Sequence, residues 1–247
     1  LICYKYKFQM LKHIPNLLTI SNLICGCIAL YFTFHDNLVF AAYLIGLAAI
    51  FDFMDGAVAR LLKVSGPMGK ELDSLADMVS FGVVPGSVVF HLLEASSLST
   101  YSFIALAIPS FSAYRLAKFN IDERQTESFI GLPTPANCLI FISFPLISTF
   151  QADSLIASII EMPEVLIGLT ILLSLTLVSE IPLFALKFKN IKFADNKLRF
   201  VFIGLAALLL GLLQFSAVPL IVMLYLILSL VFREPKNVNG KSSIYSD

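Results

Sequence analysis

Residues 52–77 read DFMDGAVARLLKVSGPMGKELDSLAD, and four acids stand in it at intervals that point to a site. Asp52 and Asp55 lie on an apolar stretch, 39–62, and Asp73 and Asp77 on the next, 72–93. Each stretch has about the 20 residues a helix needs to cross a bilayer. The Ser65-Gly66-Pro67 turn joins them as antiparallel neighbours. Asp52 and Asp55 are spaced i, i+3, and Asp73 and Asp77 i, i+4, so each pair occupies one helix face. At a rise of about 1.5 Å per residue, Asp52 lies about 12 Å and Asp55 about 8 Å along the helix from Arg60, and Asp77 about 9 Å into its own helix. The two pairs therefore meet at one depth. Gly56 and Ala59 share the first arc and leave room beside the acids, while Arg60 borders it.

Working outward, six further apolar stretches run over 15–34, 101–118, 134–150, 164–186, 199–214 and 217–232. With 58% hydrophobic and 14% charged residues in 247, the chain reads as an all-α transmembrane bundle of about eight spans. The membrane domain covers 15–232. A 1–14 segment precedes it, with 1–9 an upstream extension before Met10, and a flexible tail follows over 233–247. All 17 Lys and Arg fall in the N-terminal segment, the tail, and the links after spans two, four and six. The opposite links carry His35, Asp36, Glu94, Asp153, Glu161 and Glu164 and no Lys or Arg. The positive-inside rule then places both termini, and the acids, on the cytoplasmic side of a bacterial or archaeal-type cytoplasmic membrane. Tyr31, Tyr43 and Tyr101 fall at outer span ends, where interfacial anchors belong. A net charge of zero with no basic face gives no reason to expect a nucleic-acid partner. Cys25 and Cys27, two apart on a helix, face different ways and do not pair with each other.

Carboxylates within a span are costly and mark function. Four of them ionised in one pocket repel strongly, and hard divalent cations such as Mg²⁺, Mn²⁺ or Ca²⁺ resolve the conflict, two ions neutralising four charges. Paired metals serve phosphoryl chemistry, and Arg60 beside them can hold a phosphate. Simple ion pairing of the acids with Arg60, Lys63 and Lys70 is the plainer alternative.

The pattern Asp52-x2-Asp55-Gly56-x2-Ala59-Arg60-x8-Gly69-x3-Asp73-x3-Asp77 resembles, at every position, the signature of the CDP-alcohol phosphatidyltransferase family. The resemblance implies a membrane enzyme, usually a homodimer, that uses two divalent cations, Mg²⁺ or Mn²⁺, and releases CMP. It implies that Asp52, Asp55, Asp73 and Asp77 hold the metals and that Gly56, Ala59, Arg60 and Gly69 line nucleotide and pyrophosphate. It makes Asp77 the general base. Asn16 and Thr19 touch cytidine by the same analogy, with hydrogen bonding inside their own helix as the alternative.

Four more stretches resemble the serine-accepting members of that family: IPNLLT (14–19), LDSLADMVSFGVVP (72–85), AYRLAKFN (113–120) and GLPTPAN (131–137). They imply CDP-diacylglycerol as donor and L-serine as acceptor. Arg115, with a planar fork suited to a carboxylate, is expected to bind serine or the lipid phosphate, with Lys118 and Asn120 in support. Thr134 and Asn137 at the start of span five either contact substrate or cap their helix. Glu180 is expected to snorkel toward Lys187 or Lys189, and His91 to pack on the far side of its span. Two other readings stay open: the same chemistry with glycerol 3-phosphate or an inositol phosphate as acceptor, and a cation-coupled transporter.

Overall fold

A computed structural model describes residues 13–64, 66–122, 129–183 and 196–231. Helix α1 (Ile14–Thr33) starts on Pro15, which lacks the N–H a first turn leaves unused. Helix α2 (Leu38–Leu62) is capped by Asn37, whose side chain accepts from the Phe40 N–H at 3.1 Å. It ends on Lys63 in the left-handed region, φ 55°. After a single turn, α3 (Pro67–Asp77) begins, five residues earlier than the sequence reading placed it.

Immediately past Asp77 the rod widens into a π-helical segment, Met78–Val83, and continues as α4 (Val84–Glu94). Such segments recur at functional sites because the extra residue re-aims side chains. Here it lays Ser80 against α1 and Gly82 against α5. A Cβ at Gly26 of α1 would stand 3.0 Å from Ser80 Cα, a distance only backbone movement relieves. Gly26→Ala is therefore expected to cost about 1–3 kcal/mol, read as a lower melting temperature in detergent. An unchanged melting temperature would show that α1 sits more loosely.

A 3₁₀ stretch, Ser99–Leu106, leads into α5 (Ala107–Ile121). Strands β1 (Phe129–Ile130) and β2 (Pro182–Leu183) form a two-residue antiparallel pair, Phe129 opposite Leu183. Gly131 follows at φ +76°, its N–H bonded to Ile181 O, and opens α6 (Thr134–Phe150). Helix α6 is buried along most of its length and touches both large apolar clusters. One cluster joins it to α4, α5 and α8 (Pro163–Val178) through Phe141, Phe144, Ile108 and Leu173. The other joins it to α1, α2 and the π segment through Ile142, Ala29, Ile45 and Phe81. Short α7 (Leu155–Ile160) links α6 to α8.

Helices α9 (Lys197–Leu213) and α10 (Ala217–Val231) flank a break at Gln214, φ 49°. Phe202 and Tyr225 would lie about 34 Å apart along a continuous helix. Their ring centroids are 5.8 Å apart, so the chain reverses and the pair is a hairpin. Gln151 at the end of α6 holds the reversal, accepting from the Ser216 N–H at 2.8 Å and donating to Leu213 O at 2.9 Å.

Among the described residues the structure is helical apart from the short strand pair. Four apolar helical runs are long enough to cross a membrane: Ile14–Thr33, Leu38–Leu62, Pro67–Glu94 and Lys197–Val231, the last folded on itself. Exposed apolar side chains such as Phe53, Leu61 and Leu212 suit a lipid-facing surface. Tyr31, Tyr43 and Tyr101 are exposed as an anchor must be, and Cys25 is buried while Cys27 is exposed, both free. The tail over 233–247 and most of the 1–14 segment lie outside the described residues.

Two of the links expected on one side, those after spans two and four, meet at one end. Lys70 Nζ donates to Asn120 O at 2.7 Å, tying the start of α3 to the end of α5. Lys118 Nζ lies 3.5 Å from Glu180 Oε1, bringing in the stretch after α8. Lys187 and Lys189, toward which Glu180 is expected to snorkel, lie outside the described residues. At the opposite end His91 Nε2 is 3.0 Å from Asp36 Oδ1, so His91 bonds the α1–α2 link as well as packing.

A candidate metal and phosphoryl-transfer site

The four aspartates face one another across α2 and α3. One carboxylate oxygen from each of Asp52, Asp55 and Asp73 falls within 4.8 Å of the others. Asp52 lies close to Asp73 and Asp77 as well as to Asp55. Asp55 and Asp77 are buried, Asp52 and Asp73 half-buried. At a 4.8 Å separation and an effective dielectric near 20, an ionised pair repels by about 3–4 kcal/mol. Among the described residues no Lys or Arg nitrogen lies within ion-pair distance of any of the four. The plainer alternative, pairing with Arg60, Lys63 and Lys70, is therefore not what the geometry provides. Lys70 turns to Asn120, and Arg60 folds back over Gly56, its guanidinium 3.7 Å from where a Cβ would be.

Whether the residues fit a metal is tested by their oxygens. Asp73 Oδ1 is buried without a hydrogen-bond partner. Such an atom costs about 1–3 kcal/mol unless something electropositive meets it. A half-exposed, oxygen-only donor set with an unpartnered carboxylate oxygen and no balancing side chain suits a hard divalent cation.

Helix α1 supplies the supports. Thr19 Oγ1 donates to Asp55 Oδ2 at 2.6 Å and also lies 3.1 Å from Pro15 O, which gives the helix-internal reading a geometric basis and adds a contact to the cluster that neither reading named. Asn22 Nδ2 donates to Asp77 Oδ1 at 3.1 Å, and the Asn22 carbonyl accepts from Ser80 Oγ at 3.1 Å. Asn16 approaches the start of α3, its Oδ1 3.4 Å from where a Cβ at Gly69 would be. Sequence reasoning missed Asn22. Its signal was available: it lies three residues after Thr19, on the same helix face. Bonds that orient metal-binding carboxylates set affinity. Thr19→Val is therefore expected to raise the half-saturating metal concentration about tenfold, read by a metal titration of turnover; an unchanged titration would leave the hydroxyl a helix-internal group.

The second group of expected residues divides. Arg115 reaches from α5 to α6, donating through Nη1 to Thr134 Oγ1 at 3.0 Å, and lies within electrostatic range of Asp77. Its guanidinium also stands 5.9 Å from the Phe119 ring centre. Thr134 and Asn137 are fully buried, and no side chain caps the start of α6, so capping is not their role. Lys118 and Asn120 sit apart from this group. Lys118 pairs with Glu180, and Asn120 Nδ2 donates to Ser74 Oγ at 3.0 Å. They brace the end of α5 against its neighbours.

The match to a family model, described as CDP-alcohol phosphatidyltransferase, spans residues 12–176. The chain belongs to the CDP-alcohol phosphatidyltransferase family. The match takes in all four site aspartates, the π segment and α6, and leaves the α9–α10 hairpin outside. Membership makes the chain a membrane-embedded transferase and favours that reading over the transporter. Among curated relatives it is 38% identical over 140 residues to the CDP-diacylglycerol–serine O-phosphatidyltransferase of Bacillus subtilis, covering 54% of this chain and 77% of that one. It is 35% identical over 156 residues to the enzyme of that name from Methanocaldococcus jannaschii, covering 63% and 72%. Against that of Helicobacter pylori it is 34% identical over 130 residues, covering 52% and 55%.

Proposed function

We propose that this chain transfers the phosphatidyl group of CDP-diacylglycerol to L-serine, giving phosphatidylserine and CMP, at the Asp52–Asp55–Asp73–Asp77 cluster. One observation carries the reading: four aspartates converge between two helices with no Lys or Arg partner among the described residues, in a chain whose relatives are named for this transfer. Asp52, Asp55, Asp73 and Asp77 would hold two divalent cations, Mg²⁺ or Mn²⁺. When bound, these supply charge stabilisation to the pyrophosphate and the departing CMP.

The chain's own residues do the rest. Thr19 and Asn22 fix the carboxylates of Asp55 and Asp77. Asn16, Gly56, Ala59, Arg60 and Gly69 line the nucleotide and pyrophosphate, the glycines and alanine keeping the wall low and Arg60 contributing charge. Asp77 accepts the proton of the serine hydroxyl as its oxygen bonds to the phosphatidyl phosphorus and the bond from phosphorus to CMP breaks. Arg115, with Thr134 and Asn137, receives the acceptor. Lys118 and Asn120 hold α5 in place for this. The lipid's acyl chains stay in the bilayer while its headgroup enters from the cytoplasmic side. The eight-span topology, cytoplasmic termini and a homodimeric state belong to the same proposal.

The test is direct. Purified protein with CDP-diacylglycerol and labelled L-serine should form labelled lipid and CMP in equal amounts, lose both in a chelator, and regain them with Mg²⁺ or Mn²⁺. Labelled glycerol 3-phosphate entering lipid in place of serine would overturn the acceptor; turnover that survives chelation would overturn the metals.

A further inference from the structure

Near Asp77, α5 and α6 carry four buried polar side chains with fewer partners than they can use. Ser112 and Arg115 share one face of α5, and Thr134 and Asn137 share one face of α6. Ser112, Thr134 and Asn137 are 0% exposed and Arg115 8%. The 3.0 Å bond from Arg115 to Thr134 joins the two faces. Yet Ser112 Oγ, Arg115 Nε and both amide atoms of Asn137 have no hydrogen-bond partner. Buried polar groups are seldom left so, and several together are not a feature of packing. Gly82 of the π segment makes the place for Ser112; a Cβ there would lie 3.2 Å from Ser112 Cβ.

The unused atoms are mostly donors: a guanidinium N–H, an amide NH₂ and a hydroxyl. They suit a small anion. The carboxylate of a small acceptor suits side chains this deeply buried better than a phosphate carrying two acyl chains does. We propose that Ser112 Oγ, Arg115 Nε and Asn137 Nδ2 form a carboxylate cell, so that Ser112 and Asn137 are specificity-determining residues for the acceptor. This rests on the serine reading above and adds Ser112 to it.

Because these atoms have no protein partner, removing them is not expected to weaken the fold. That separates binding from structure. The experiment uses the full chain in detergent with CDP-diacylglycerol, L-serine as substrate, and two competing probes: 3-hydroxypropionate, which keeps the carboxylate and lacks the ammonium, and ethanolamine, the reverse. For Ser112→Ala the melting temperature should hold or rise. The KM for serine should rise about tenfold, the KM for CDP-diacylglycerol should stay within about twofold, and inhibition by 3-hydroxypropionate should weaken while that by ethanolamine does not. Asn137→Asp, isosteric but now repelling an anion, should do the same more strongly. Unchanged serine KM in both variants, or equal weakening of both probes, would overturn the cell. A wild-type protein that puts no serine into lipid would instead sink the acceptor reading itself.

Discussion

Asp77→Asn is expected to lower turnover about a thousandfold or more while the protein still binds CDP-diacylglycerol and divalent metal. General-base catalysis contributes about 10²–10⁴ in rate, and an amide cannot take the hydroxyl proton. The geometry says why binding should survive. Asp55, Asp73 and Asp52 bring their oxygens within 4.8 Å without Asp77, so the densest part of the donor set remains. An asparagine keeps an oxygen where Asp77 Oδ1 accepts from Asn22, so the link between α1 and α3 holds. Equilibrium binding of the nucleotide lipid and single-turnover CMP release measure the two halves separately. A variant that binds and turns over at near the normal rate would remove Asp77 from the role of base. A variant that no longer binds metal would make it chiefly a ligand.

Much of this site could be read from residue spacing because its main constraint is local. Asp52 and Asp55, or Asp73 and Asp77, must share a face whatever the rest of the chain does. The short Ser65-Gly66-Pro67 link leaves their helices no choice but to run side by side. The uneven placement of Lys and Arg likewise sorted the links into two ends, and Lys70 with Asn120 and His91 with Asp36 show those ends built. What stayed hidden depended on docking. Asn22 is polar on an apolar helix, but only the approach of α1 to the π segment, allowed by Gly26, shows that it holds Asp77. The π segment has no local signature at all. Ser112 reads as an ordinary small helix residue until α6 is laid beside it. The contact of Glu180 with Lys118 stayed hidden because a partner 62 positions back in sequence is invisible to helix spacing.

Asp52→Asn should abolish turnover and, in chelator, raise the melting temperature. The sign of the second effect is the informative part. Asp52 lies close to Asp55, Asp73 and Asp77. Without metal, its charge adds repulsion to each. Asparagine removes that charge, keeps the size, and can donate an N–H toward Asp73 and Asp77, turning two unfavourable contacts into favourable ones. With metal the order reverses. A ligand at a hundred times its dissociation constant stabilises the wild type by about 2.7 kcal/mol, and the variant, short of that carboxylate, gains far less. Melting curves of both proteins across a Mn²⁺ series should therefore cross, the variant being the more stable at zero metal and the wild type at saturation. If these acids instead serve the fold, each held by protein partners, the variant melts lower in chelator and both curves shift alike with metal. That result would end the case for a shared cation site, and with it the chemistry built on those four carboxylates.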